Sequence, residues 1–260
     1  MADWDSAQYL KFKNERTQPA IDLVNRISLG NPLKIADIGC GPGNSTQVLA
    51  ARFPNAKIIG IDSSENMVAA ARKQYPGLEF RVGDASGDLT GLGTDFDLVF
   101  SNACIQWIEG HERLLPNLMK LLKTGGVLAV QTPMNYEEPI HKLIQRMAAS
   151  PKWKPFFPHP RIFYNLTQEE YFDLLSEIFP DFSIWQTTYF HTMDSHHDIF
   201  EWYRSTGLKP YLDVLPEDEK PAFEKEILEG IRAGYPQQRN GKIIFRFPRF
   251  FFTAAAGSKE

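Results

Sequence analysis

With 260 residues, 43 % hydrophobic and 13 % aromatic, the chain can bury a sizeable core in one enlarged domain, and its formal net charge of −4 excludes a general attraction to nucleic acid or acidic membranes. Cys40 and Cys104 are the only cysteines. They are too few for a disulfide framework and lack metal-ligand spacing, so no metal is expected and a reducing cytoplasm is the natural compartment. The opening MADWDSAQYLKFK has no apolar signal-peptide core, and no run approaches the roughly 18 apolar residues of a membrane span.

Residues 1–30 predict a leader helix. Short apolar runs then alternate with helical patterns: LKIADI and STQVLAARF, KIIGID and ENMVAAARKQY, LEFRV, DFDLVF and HERLLPNLMKLL, and GGVLAVQ. This rhythm predicts an open α/β fold with a parallel sheet and crossover helices, its strands apolar almost throughout because both faces are covered. After Pro133 the composition turns to proline and aromatics. A strand follows near SIWQTTYFHTM, then a helical stretch from Ser195 to about Ala233, and GKIIFRFPRFFFTA reads as the last strand. The whole of 1–260 is expected to be one domain, with 133–179 and 195–240 as cap insertions. Phe250, Phe251 and Phe252 are expected in its core.

The first strand runs into IADIGCGPGNST, with Gly39, Gly41 and Gly43 spaced one residue apart. Such a turn lets the backbone approach a ligand beyond the carboxyl ends of the strands, and the helix starting near Asn44 or Ser45 offers free N–H groups. It can equally pack a helix against a strand with no ligand. Asp62 closes the second strand roughly twenty residues downstream, where a carboxylate can accept both hydrogens of a ribose diol. Its competing role is to cap the helix near Glu65, which Ser63 or Ser64 could do as well. Asp84 closes the third strand, placed either to accept from the exocyclic amine of adenine or to stand as a solvated turn residue. Together the three strand ends describe a nucleoside lying across the sheet.

Asp37-Ile-Gly39-Cys-Gly41-Pro-Gly43, Asp62, Asp84 and LKTGGVLAVQTP make the first 135 or so residues resemble the class I S-adenosylmethionine-dependent methyltransferases. The resemblance implies a Rossmann-like sheet, mostly parallel with an antiparallel last strand. It implies S-adenosyl-L-methionine as cofactor and S-adenosyl-L-homocysteine as product. The turn with Gly39, Gly41 and Gly43 would pass the methionine part, Asp62 would bind the ribose and Asp84 would lie near the adenine, with Asp37, Ser63, Met67 and Ala85 also expected to bind the cofactor. Asn102, Gln106 and Trp107, in SNACIQWI after the fourth strand, would flank the cofactor, although plain packing explains Gln106 and Trp107 equally well. Asn102 is followed by Ala103 and Cys104 rather than by the Pro-Pro-aromatic run of enzymes that methylate nucleic-acid bases. A dehydrogenase would more often show G-x-G-x-x-G.

The start DWDSAQYLKFKNERTQPAIDLV, TTYFHTMDSH, EWYRSTGLKPYL and NGKIIFRFPRFF extend the resemblance over the full length, to the branch of that family that esterifies trans-aconitate. That branch implies a small polycarboxylic acid as partner and its monomethyl ester as product, with no role for nucleic acid or membrane. The alternatives are methylation of a malonyl group on a carrier and non-catalytic binding of the cofactor. A carboxylate is already ionised at neutral pH, so no general base and no catalytic dyad are expected; fixed cationic and hydroxyl donors are. Tyr189 and His191 share one face near the carboxyl end of their strand, Arg204 follows on a helix leaving that edge, and Arg16 sits among Trp4, Tyr9 and Phe12 in the leader. His159 and Arg161 are weaker candidates. Oligomeric state is not fixed by the sequence.

Overall fold

The computed structural model describes residues 13–158, 162–204 and 206–257, with Lys13, Asn14 and Arg16 described by backbone alone. The leader aromatics, His159, Arg161 and the Arg16 side chain therefore lie outside the described residues. Helix α1 (Lys13–Asn25) precedes five parallel strands: β1 (Lys34–Ile38), β2 (Lys57–Asp62), β3 (Glu79–Val82), β4 (Phe96–Asn102) and β5 (Leu122–Pro133). Helices α2 (Asn44–Arg52), α3 (Glu65–Gln74) and α4 (His111–Lys120) make the crossovers, while β3 reaches β4 through a short 3-10 turn at Thr90–Leu92. Then come α5 (Pro139–Ala149), α6 (Gln168–Ile178), β6 (Asp181–Met193), α7 (His196–Arg204), α8 (Lys209–Leu212), α9 (Lys220–Gly234) and β7 (Ile243–Ala255). The sheet order is β3-β2-β1-β4-β5-β7-β6, with β7 antiparallel to both its neighbours. Chain progression reverses between β1 and β4, which opens the crevice where ligands of such sheets bind.

Apolar strands require cover on both faces. One face packs Leu114, Leu115 and Leu118 of α4 and Tyr171 and Leu175 of α6 against Val99, Val130, Phe250 and Phe252. The other packs Leu23 and Val24 of α1 and Leu49 of α2 against Leu98, Phe100 and Phe251. The three consecutive phenylalanines thus belong to the core, as expected. Each such ring, fully buried, contributes roughly 1.5–3 kcal/mol.

β5 ends at Pro133 opposite Arg249, but β6 and β7 continue to pair as far as Met193 and Ile243. Six further residues at about 3.4 Å each carry this two-stranded arm roughly 20 Å past the carboxyl edge of the sheet. A third core clads it, with Ile140 and Ile144 of α5, Ile199 and Trp202 of α7, and Phe223, Ile227 and Ile231 of α9 around Phe245 and Phe247. Pro248 marks the point of departure. Its carbonyl accepts from Met134 N at 3.0 Å, so its nitrogen also faces the side where β5 has ended, and no ladder donor is lost. The segment 133–179 is accordingly divided: α5 builds the cap, whereas α6, started by a Thr167/Glu170 capping box, covers the sheet.

Candidate active site

At the end of β1, Asp37 is fully buried, and its Oδ2 accepts from Ser45 Oγ at 2.7 Å and Thr46 Oγ1 at 2.6 Å, tying the first turn of α2 to the strand. Its Oδ1 is buried with no hydrogen-bond partner, and burial pushes the carboxyl up to about 6. Asp62 accepts from Gly41 N through Oδ2 and from Ser64 N through Oδ1, both at 2.9 Å. Burial raises its pKa, opposed by those two N–H groups. The helix cap is Ser64, whose Oγ accepts from Met67 N at 3.3 Å, so Asp62 is not the cap of α3. Ser63 stands half-buried between them and Met67 is buried. Asp84 is exposed and accepts from Ser86 N at 2.9 Å, forming the turn in which Ala85 is buried.

The three glycines have different reasons to be glycine. A Cβ on Gly39 would stand 2.3 Å from both Cβ and Sγ of Cys104, and one on Gly43 would stand 2.8 Å from the Tyr75 ring and 3.0 Å from Phe80. Those two are packing glycines. Only Gly41, at φ +53, directs its Cβ position into open space.

β4 ends in Asn102, whose Oδ1 is buried without a partner, and the chain then turns through Ala103 at φ +55. A left-handed alanine costs about 1–2 kcal/mol. It is held by Ala103 N donating to Gln131 O and Gln106 Nε2 donating to Ala103 O, both at 2.8 Å. Gln106 is buried in a network that begins with Asn165 Nδ2 donating to Pro133 O at 2.6 Å. This fixes Asn165 Oδ1 toward Thr132 Oγ1 at 3.0 Å, itself 3.2 Å from Gln106 Oε1. His111 Nε2 faces Ile105 O at 2.9 Å and must carry the proton, so its Nδ1 accepts from Tyr171 OH at 2.7 Å. Trp107 packs on Phe163, ring centroids 4.9 Å apart.

Above this edge lies a cavity of about 100 Å³, bounded by Ala103, Gln106 and Trp107 from the sheet side and by His141, Trp202 and Tyr203 from the cap, with Phe247 and Arg249 of β7 also lining it. The expected donors are placed differently. Arg204 does not reach the cavity: it is exposed, 3.5 Å from Glu201 and 3.4 Å from Glu224, because it pairs along and across the outer surface of the cap. Tyr189 OH donates to Asp22 Oδ2 at 2.5 Å, clasping α1 to β6. His191 lies in an aromatic nest with Trp202 and Phe245, and burial and the nearby Arg249 lower its pKa to about 4. It is therefore neutral at pH 7 and not a cationic donor. His141, in the cavity wall, is likewise lowered to about 4 by burial.

The cation brought to the cavity is Arg249, which sequence reasoning passed over although it lies in phase with Phe247 and Phe251 on one strand face. Among the described residues no group of His, Cys, Asp or Glu could hold a metal ion, and no helix is long and apolar enough to cross a membrane.

Residues 35–126 match the methyltransferase-domain family. The trans-aconitate 2-methyltransferase of Methylobacterium nodulans is 42 % identical, with 98 % of each chain covered, and that of Azoarcus sp. is 43 % identical over 98 % of this chain and 99 % of its own. Among solved structures, the YcgJ protein of Bacillus subtilis superposes with a TM-score of 0.61 at 14 % identity, covering 93 % of this chain and all of that one. Phosphoethanolamine N-methyltransferase 2 of Haemonchus contortus, solved with S-adenosyl-L-methionine, gives 0.55 at 19 % identity over 93 % of this chain and 53 % of its own. At these identities the two structures show a shared fold. The sequence relatives show more, since their identity runs through the cap as well as the sheet, and the chain belongs to the trans-aconitate 2-methyltransferase family of S-adenosylmethionine-dependent methyltransferases.

Proposed function

We propose that the protein transfers a methyl group from S-adenosylmethionine to a carboxylate of trans-aconitate or a closely related small polycarboxylic acid, in the cytoplasm and without nucleic acid or a membrane as partner. One observation carries the acceptor assignment. The cavity is walled jointly by the loop after β4 and by the cap, and the relatives named for this reaction match both parts.

The residues at the sheet edge fit the cofactor. Asp37 Oδ1 is a buried acceptor with no partner in the protein, suited to an ammonium group, and Gly41 leaves its side-chain direction open. Asp62 is read as the acceptor for the ribose hydroxyls, with Ser63 and Met67 beside it, and exposed Asp84 with Ala85 as the adenine end. Asn102, Gln106 and Trp107 are read as the wall between cofactor and acceptor. When bound, S-adenosylmethionine supplies a methyl group on a sulfonium centre.

The chain's own work is then positioning and desolvation. The acceptor carboxylate is ionised at neutral pH and has no proton to lose, so a wall of neutral histidines is no handicap. Trp107, Phe163, Trp202 and Phe247 exclude water from the approach of the oxygen. The cap, built by α5, α7, α8 and α9, is read as the cover of this space.

The test is methyl transfer from labelled cofactor to a panel of small acids, with the ester identified by mass spectrometry. Transfer to trans-aconitate above mono- and dicarboxylic analogues is expected. A protein that binds S-adenosylhomocysteine but esterifies no acid of the panel would lose this assignment.

A further inference from the structure

We infer that Arg249 holds a carboxylate of the acceptor other than the one that is methylated, and so selects for acids with at least two carboxylates on a short chain. This deepens the acid-methylating reading and rests on it. Arg249 stands opposite Pro133, the last residue of β5, at the carboxyl edge of the sheet. It lines the same cavity as Ala103, Gln106 and Trp107, so an anion on its guanidinium shares one space with the loop read as flanking the cofactor.

Its geometry is fixed before any ligand arrives. Nη1 donates to Gln131 Oε1 at 3.1 Å, and the guanidinium carbon lies 4.4 Å from the Phe247 ring centre. A planar fork held on one edge and one face meets a carboxylate with little further loss of freedom. Gln131 is completely buried and acts as the positioning residue for that fork.

Burial sets the strength. Arg249 is only 4 % exposed, among aromatic walls. An ion pair there, at an effective dielectric near 20, is about fourfold stronger than the same pair in water. The neighbouring histidines do not compete, since His141 and His191 are both neutral at pH 7. Among the described lining residues Arg249 is the only arginine or lysine. The cap's other arginines near this strand face outward and are committed to acids: Arg246 to Glu138 at 3.3 Å and Arg204 to Glu224. A second carboxylate entering the cavity is therefore drawn to Arg249, leaving the first to face the Gln106 and Trp107 side.

The experiment is calorimetric titration of trans-aconitate into the complex with S-adenosylhomocysteine, where no turnover occurs, for wild type, Arg249→Lys and Arg249→Met. Loss of a charged hydrogen-bonded pair predicts trans-aconitate affinity about 10- to 100-fold weaker in the Met variant. The Lys variant should recover part, keeping charge without the fork. S-adenosylhomocysteine affinity should stay within about threefold, and crotonate, which has a single carboxylate, should bind all three proteins alike.

Trans-aconitate affinity within about twofold of wild type, in either variant that still binds S-adenosylhomocysteine, overturns the assignment of Arg249. If the Met variant fails to fold, the Lys variant decides on the same criterion. Failure of wild type itself to bind trans-aconitate overturns the acid-methylating reading and this inference with it, so the two failures are distinguishable.

Discussion

Three alanine substitutions in one turn should separate packing from ligand contact. Gly41→Ala adds a methyl where nothing lies within 4 Å, at φ +53. The backbone cost is about 1–2 kcal/mol, which in a protein of this size lowers the melting temperature by roughly 2–8 °C and leaves it folded. S-adenosylhomocysteine affinity should fall at least tenfold, about 1.4 kcal/mol, because the methyl occupies the space toward which the turn opens. Gly39→Ala behaves differently. Its methyl would stand 2.3 Å from Cys104 Cβ, an atom fixed to the backbone after β4, so the strand end must move. Overpacking of about 1–3 kcal/mol adds to the left-handed cost, for a total near 2–5 kcal/mol. Adding Cys104→Gly removes the obstructing atoms and should return the overpacking part, leaving the backbone cost. Gly43→Ala should resemble Gly39→Ala, with Tyr75 and Phe80 as the obstruction. The assays are thermal unfolding and calorimetric binding on each variant. A Gly39→Ala protein melting with wild type, or a Gly41→Ala protein binding the ligand as wild type does, refutes the division of roles.

Arg204→Ala should leave the acceptor KM unchanged and cost no more than about 1 kcal/mol, because its pairs with Glu201 and Glu224 are on the surface; steady-state kinetics and melting check both. Tyr171→Phe removes the donor to His111 Nδ1 and should destabilise by about 1–3 kcal/mol, measured by denaturant unfolding, with a smaller loss if His111 is replaced as well. The histidines also predict a pH dependence. His141 and His191 fall from 6.5 to about 4 on folding, so between these values the unfolded chain binds protons that the folded one does not, and stability drops as pH falls from about 6.5 toward 4. Asp37 acts oppositely, since its rise from 3.8 to about 6 lets the folded state bind a proton first, and stability gains as pH falls through that window. Burial lowers His111 as it does the other two histidines and raises Asp62 as it does Asp37, so three groups against two leave a net loss. Melting temperature should be lower at pH 5 than at pH 7.5, and His141→Asn should narrow the difference.

The parallel half of the fold was legible because a strand covered on both faces has to be an apolar run, and each of the first five runs is bounded by a turn or a crossover. Direction in space was not legible. The spacing of Gly39, Gly41 and Gly43 states that the backbone turns sharply, but whether a missing Cβ makes room for Cys104, for Tyr75 or for a ligand depends on which elements the sheet brings alongside.

The same gap separates Arg204 from Arg249. Placing Arg204 by the direction of the preceding strand ignored Glu201 three residues earlier, a spacing that already describes an ion pair along a helix surface. For Arg249 the usable signal was phase. In FRFPRFFF the positions Phe245, Phe247, Arg249 and Phe251 alternate onto one face, and three aromatics in phase with an arginine place that charge on a face that must be buried. An arginine is almost never fully buried unless something fixes its charge in place. On the arm beyond β5 the alternation therefore carries functional information that a count of charges does not: Arg246, out of phase with Phe245 and Phe247, meets solvent and Glu138, while Arg249, in phase with them, meets the cavity.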